Sequence, residues 1–589
     1  MTSALSITSC VSKTEKKLKD WGDSSFKDQI RLKETEHAKS LDQVKFIAPF
    51  NKDANPSNVM YQLAVYAFAD GNNDGIGDFI GLKNNLDYFT DLGIDTLYLS
   101  PIHPASSYHG YDVIDYMDVA PEFGGMKAFD EFLIEAHKKG IKVILDMIMN
   151  HTSFEHPWFQ AALKGDSKYE NYYTFFENRT DGDRKYGIDD QDARNIFINI
   201  EDKIPTNKNY VATFWKGMPD LKMDNPEVQD EMKKIHKFWS RKGVDGFRYD
   251  AFYHIWDSEA TRESKDPNNE KINRLFSDIR EAVNAELNDG NLRSSNEAFM
   301  FGEWWGSVKD GETYFVRNGK NSLSSLIDGQ NFKNDTRFWL DTTEEKSIIK
   351  QLNSSNISRP WMPFLDNHDV ERWINRFRGV LRSGEIYSHT EALNEQEKAY
   401  YRVALVSLLS RGGLPILYNG NELLAHGGPK SSNGDISVRE AFPWKDDIKK
   451  VDFYEKKSGK NEHAKSWGYD NEQSVEEAIK DNQSTYNLVK KVISVRKHFD
   501  SVKNQNEKYI VDPEDVFSEL PGFATVRKNS DNELLVFIHD YSPKVTKSDF
   551  IFKTKPTKID PLLEINTKIF EGKIETKGFE RIGIYKIQI

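Results

Sequence analysis

Three carboxylates lie at the ends of apolar runs: Asp250 in GVDGFRYDAFYH (243–254), Glu303 in AFMFGEWW (298–305) and Asp369 in WMPFLDNHD (361–369). A fourth run of the same kind, IKVILDMIMNH (141–151), ends on His151, and His368 directly precedes Asp369. Each reads as a buried strand that delivers charged groups at its carboxyl end, where a parallel α/β barrel builds an active site. Carboxylates in pairs suit the cleavage of glycosidic bonds: one attacks or activates, the other protonates the leaving oxygen. Arg248 stands two residues before Asp250, so on a strand both side chains point the same way and the guanidinium can hold the acid ionised. Glu303 is flanked by apolar residues and by Trp304 and Trp305, and desolvation there raises a carboxyl's pKa until it keeps a proton. A lone strand-end Asp is more often a helix cap or a structural acid. The combination points to chemistry.

The elements needed to hold these groups are legible around them. VMYQLAVYAF (59–68), IDTLYLSPI (94–102), IKVILDMIM (141–149), VDGFRYD (244–250), FMFGEWW (299–305), WMPFLDN (361–367) and GLPILYN (413–419) read as buried strands, with a weaker one near SLIDGQNF (325–332). Charged amphipathic segments of helical period lie between most of them, as in FDEFLIEAHKKG (129–140), EVQDEMKKIHKFWSRKG (227–243) and KINRLFSDIREAVNAEL (271–287). Strand and helix alternating in this way predict right-handed βαβ units and a parallel sheet, here an eight-stranded (β/α)8 TIM barrel over 51–151 and 213–503. No GxGxxG follows a strand, which argues against a dinucleotide fold. The irregular aromatic stretch 152–212 is too long for a loop and predicts a small inserted domain. After STYNLVKKVISVRKHF (484–499) the pattern alternates, in FATVRK (523–528), ELLVFIHDY (533–541) and RIGIYKIQI (581–589), so 504–589 reads as an antiparallel, sandwich-like β-domain.

Composition narrows the partners. With 80 Lys+Arg against 93 Asp+Glu the formal charge is −13, which disfavours nucleic acid and anionic membranes. The single cysteine excludes an intrachain disulfide framework, and no apolar run approaches the ~20 residues of a membrane helix. That cysteine, Cys10, ends LSITSC, which resembles the end of a bacterial lipoprotein signal without its basic start. Two readings stand: a lipid anchor at Cys10 with a charged tether over 1–50 and a cell-surface or extracellular enzyme, or an incidental cysteine on a disordered tail, compatible with the cytoplasm.

Taken together, residues 55–505 resemble the α-amylase family of glycoside hydrolases (family 13). DMIMNH (146–151), GFRYDAFYH (246–254), GEWW (302–305) and NHD (367–369) stand in family order, supported by HGYDVIDY (109–116), MPDL (218–221) and GGLPILYNGNE (412–422). The resemblance implies retaining hydrolysis, with Asp250 as nucleophile, Glu303 as acid/base and Asp369 as the third acid. It implies that His151 and His368 donate to sugar hydroxyls, that Tyr111 stacks on the sugar, that Asp112 and Arg372 pair at its edge, and that His254 and Trp305 also line the site.

The loop DGNNDGIGD (70–78) alternates Asp70, Asn72, Asp74 and Asp78 with glycines, and the Ile76 carbonyl falls among them. Such oxygen donors describe a Ca²⁺ loop, or else a polar Asx-turn without metal. By resemblance, a second calcium site would use Asn150, Asp220 and the His254 carbonyl. MPDLK resembles the MPDLN of amylase- and neopullulanase-like groups and leans towards endo-action on α-1,4-glucan. Two features pull the other way: Tyr253 stands where typical α-amylases have Lys, and HGYD with Arg372 also occurs in exo-acting α-glucosidases. An α-glucosidase or oligo-1,6-glucosidase on short oligosaccharides and a 4-α-glucanotransferase are therefore the alternatives. A non-catalytic binding relative, which would usually have lost a carboxylate, is the remote one.

Overall fold

The computed structural model describes residues 58–177, 197–199, 208–214, 217–255, 269–288, 298–306, 308–317, 320–329, 361–389, 391–428, 434–446, 449–451 and 473–589. Cys10, the 1–50 segment and much of the predicted insertion lie outside these residues.

The barrel strands are β1 (Met60–Leu63), β2 (Thr96–Leu99), β3 (Lys142–Ile148), β7 (Gly246–Asp250), β8 (Phe299–Gly302), β9 (Ser325–Leu326) and β10 (Ile416–Tyr418). All pair in parallel, in the order β9-β8-β7-β3-β2-β1-β10. The eighth position is filled by 361–365, joined by single parallel bridges Ile327↔Met362 and Phe364↔Ile416, and this closes the ring. The sequence ranks these two segments the other way round, with 361–367 as a full strand and 325–332 as the weak one. Pro363 is the physical reason: it brings no N–H to a ladder, although its carbonyl accepts from the Ile416 amide at 2.8 Å. The predicted 59–68 strand also divides, with β1 followed by a helical turn over Val65–Phe68.

Met60, Tyr98, Ile144, Phe299, Phe301, Met362 and Ile416 fill the barrel's interior as one buried cluster. A Cβ at Gly246 would lie 2.1 Å from the Phe299 carbonyl, so β7 and β8 can approach only with glycine there. Helix Pro226–Lys242 starts on an Asn225 cap with Pro226 in its first turn, and stops at Gly243 with φ 103°. Its Val228, Met232, Ile235 and Trp239 are buried, which sets the following strand, β7, at a fixed height.

Three strands of the inserted stretch, β4 (Phe175–Glu177), β5 (Phe197–Asn199) and β6 (Lys208–Val211), form an antiparallel sheet in the order β4-β6-β5. Antiparallel bridges His151↔Asp220 and Tyr173↔Leu221 fasten this region to the segment after β3. Past the barrel, β11 (Ala524–Ser530), β12 (Glu533–Phe552), β13 (Lys558–Ile565) and β14 (Lys573–Gln588) make an antiparallel sheet with β12 and β14 central. Helix Glu395–Ser410, opened by an Asn394–Glu397 capping box, packs against that sheet through Arg402–Glu580 and a Ser410–Thr525 hydroxyl contact of 3.0 Å.

Candidate active site

Arg248 organises the site. Its Nη1 donates to Asp250 Oδ1 at 2.8 Å and to both oxygens of Asp146 at 2.8 and 2.9 Å, while Nη2 lies 3.0 Å from Glu303 Oε2. One buried guanidinium thus sets the ends of β7 and β8 side by side, and Asp146 anchors it from β3 in direct register (Asp146↔Arg248). Tyr98 and Tyr111 add hydroxyl donors to Asp146 at 2.9 and 3.1 Å. The backbone then turns sharply: Ala251 takes φ 42°, a left-handed conformation that a residue with a side chain adopts at a cost. In that turn the Ala251 amide donates to Glu303 Oε2 at 3.2 Å.

Glu303 is less apolar in its setting than the sequence suggests. Besides Arg248 and Ala251 it accepts from the Trp305 indole N–H at 2.8 Å, so this tryptophan orients the carboxylate while its ring stands edge-on to Phe364. Burial pushes Asp250 well above the usual carboxylate range. Arg248 opposes the shift, and the neighbouring Glu303, Asp146 and Asp369 reinforce it. Asp369 behaves oppositely: although burial works against it, His368, Arg439 and Arg248 hold it well below the usual range.

His368 faces Asp369 Oδ2 at 3.0 Å through Nε2, with Gln62 at 2.6 Å on Nδ1, and stacks parallel to Tyr111 with ring centroids 5.5 Å apart. His151 is buried, and burial lowers its pKa to about 4, so it stays neutral. Its Nε2 lies 3.2 Å from the Tyr111 carbonyl and its Nδ1 3.4 Å from the Asn150 amide. Both ring nitrogens thus face protein atoms. His254 is half-buried, and its ring meets Phe214 at 5.4 Å and Tyr253 at 4.2 Å.

The expected Asp112–Arg372 pair is not formed. Asp112 is fully buried in the 105–113 turn and accepts from the Ser107 amide and hydroxyl at 3.0 and 2.6 Å; burial raises it to about 6. Arg372 points away, to Glu440 at 2.6 Å, Asp366 at 3.3 Å and the Asn419 carbonyl, with its guanidinium over Tyr418. An unforeseen residue stands by the third acid instead. Arg439 bonds Asp369 Oδ1 at 2.9 Å, the His368 carbonyl at 2.8 Å and the Tyr108 hydroxyl at 3.1 Å.

The 70–78 loop is held by its own side chains. Asp70 accepts from the Asn72, Asn73 and Gly75 amides, Asn72 from Asp74, Asp74 from Ile76, and Asp78 from Gly71 and Gly81. A Cβ at Gly77 would meet the Val65 carbonyl at 2.2 Å. Asp78 Oδ2 remains buried without a partner, and burial with the nearby Asp70 and Asp74 pushes its pKa up. An orphaned oxygen among like charges fits a hard cation, although among the described residues no three acids or imidazoles converge on one point. At the second candidate site Asp220 is engaged by Thr213 and the Asn150 amide, and Asn150 Oδ1 is left buried and unpartnered.

A closed parallel barrel with paired carboxylates at its strand ends, and a β-domain after it, defines a class of carbohydrate-active enzymes. The alpha amylase catalytic domain profile matches residues 62–505, and the chain belongs to the α-amylase family of retaining glycoside hydrolases. It is 32% identical over 458 residues to Alpha-amylase 3 of Dictyoglomus thermophilum, covering 77% of this chain and 79% of that protein. It is also 32% identical over 390 residues to a 4-alpha-glucanotransferase of Thermotoga neapolitana, covering 66% and 76%. In fold it resembles an alpha-amylase from H. orenii with a TM-score of 0.70 at 24% identity, covering 91% of this chain and 100% of that one.

Proposed function

We propose that the protein cleaves internal α-1,4-glucosidic bonds of starch, glycogen or maltooligosaccharides with retention, Asp250 being the nucleophile and Glu303 the acid/base. The observation that carries the chemistry is the contact of one guanidinium, Arg248, with both carboxylates. As the acid, Glu303 gives a proton to the leaving oxygen of the departing chain, while Asp250 attacks the anomeric carbon as an anion paired with Arg248. Glu303, now ionised, takes a proton from the incoming water, which releases the sugar from the Asp250 ester. Asp369, kept ionised by its cationic neighbours, suits bonding to sugar hydroxyls and the positive charge that develops on the ring.

Endo-action is supported by MPDLK (218–222), which resembles the MPDLN of amylase- and neopullulanase-like groups. A second reading, transfer to another saccharide, is favoured by Tyr253 in the place of Lys and by the glucanotransferase relative. The test is a product profile on maltoheptaose, starch, pullulan, isomaltose and trehalose. Endo-hydrolysis yields a ladder of short maltooligosaccharides from the first two and leaves isomaltose and trehalose intact. Glucose as sole first product, or preferential cleavage of isomaltose or trehalose, contradicts it, and products longer than seven glucoses mark a transferase.

Calcium belongs to the same reading. Asp70, Asn72, Asp74, Asp78 and the Ile76 carbonyl would hold it, and it would supply the positive charge that Asp78 lacks. An anchor at Cys10 and a cell-surface location rest on LSITSC alone; lipid labelling that persists in Cys10→Ser would remove them.

A further inference from the structure

Resting on that reading of the site, we infer that His109 is a further substrate-positioning residue, giving its Nε2–H to a hydroxyl of the glucan on the non-reducing side of the scissile bond. Three observations combine. First, the Tyr111 backbone amide donates to His109 Nδ1 at 3.1 Å. A backbone N–H can only donate, so Nδ1 is the acceptor and the neutral ring carries its proton on Nε2. Second, the ring is fixed between Tyr108, at a centroid distance of 5.2 Å, and Tyr111 at 5.9 Å. It is only half-buried, and Nε2 makes no hydrogen bond to a described residue. The donor is thus held in place and left open.

Third, the surroundings are those of the site. Arg439, Asp369 and His151 are its electrostatic neighbours, and burial lowers its pKa to about 4, so it remains a neutral donor across the working range of such an enzyme. Glu303 and its Trp305 donor, which would receive the leaving chain, stand at the end of β8, whereas His109 follows β2 and has Asp369 and Arg439 among its electrostatic neighbours. The hydroxyl it reaches therefore belongs to the sugar chain on the side opposite the leaving group. A donor that touches only bound sugar acts on binding more than on the chemical step.

His109→Asn separates this role from a structural one. The Asn Oδ1 can still accept the amide two residues on, as in an Asx-turn, but its side chain is too short to reach the cleft. With maltoheptaose, KM is expected to rise roughly three- to tenfold with kcat nearly unchanged, the loss of one neutral hydrogen bond, while the melting temperature stays at the wild-type value. His109→Gln, which restores a reaching N–H donor, should recover part of the KM. An unchanged KM in the Asn variant overturns the inference, as does a fall in kcat alone, which would place His109 in the support of Tyr111. Both are read in an enzyme whose wild type cleaves maltoheptaose; failure of the wild type to do so would fall on the proposed function instead.

Discussion

At the scale of single residues the candidate site is a hub with three spokes, Arg248 joined to Asp146, Asp250 and Glu303. Trp305 completes it by donating to the oxygen of Glu303 that Arg248 does not touch. Trp305→Phe keeps the ring and removes that donor, so kcat should fall about 10- to 100-fold, the worth of a hydrogen bond to a charged group, with the melting curve unchanged. Steady-state kinetics beside a thermal melt would show it, and a wild-type kcat would leave Trp305 as packing. Asp250, Glu303 and Asp369 were readable from sequence because each ends an apolar run. Asp146 carried only a faint signal, an acid inside a strand of otherwise buried residues. Arg439 carried none, since it reaches Asp369 from an irregular segment 70 residues away. Arg372 misled because a sequence pattern fixes neither the rotamer nor the competing acids: Asp366 and Glu440 claim it first.

At the scale of elements, a carboxylic acid ties the barrel to its helical layer. Glu422, in the short turn Asn421–Leu423 after β10, accepts from Tyr61 of β1 at 2.8 Å and from Tyr88 of helix Leu86–Leu92. Burial raises it to about 7, against the pull of the two hydroxyls. Its folded value thus lies above its unfolded value, so the folded state binds the proton more tightly. The stability it contributes is full below its unfolded pKa and is lost as pH rises towards 7, by about 3 kcal/mol in all. Glu422→Gln removes this dependence. Urea unfolding of both proteins at pH 5 and pH 8 should therefore show the variant gaining on the wild type at pH 8, and an equal difference at both would contradict the assignment. The helices were legible almost to the residue, since 227–243 and 484–499 became Pro226–Lys242 and Thr485–His498. Strands were less so. Continuous apolar runs hide the point where a buried strand becomes a helical turn, as after Leu63, and a proline can demote the most apolar of them to two bridges.

For the whole molecule, the barrel gathers groups from five strand ends and the segment before Asp369 into one site, and the bridges of 361–365 close that ring. The 70–78 loop lies directly after the helical turn that follows β1, and its crowded acids give it a use for a cation. EDTA treatment should lower the melting temperature by several degrees, with recovery on adding Ca²⁺ and no recovery in Asp78→Ala; a melting curve indifferent to EDTA would exclude a tightly held ion. The central claim is that Asp250 becomes covalently glycosylated while Glu303 serves as acid and base. Glu303→Gln treated with α-maltosyl fluoride tests it most directly, because fluoride leaves without an acid whereas release of the ester needs the base. Mass spectrometry of the digested protein should find one maltosyl group on the peptide carrying Asp250. A maltosyl group on another residue, or unimpaired turnover by the variant, would contradict the account.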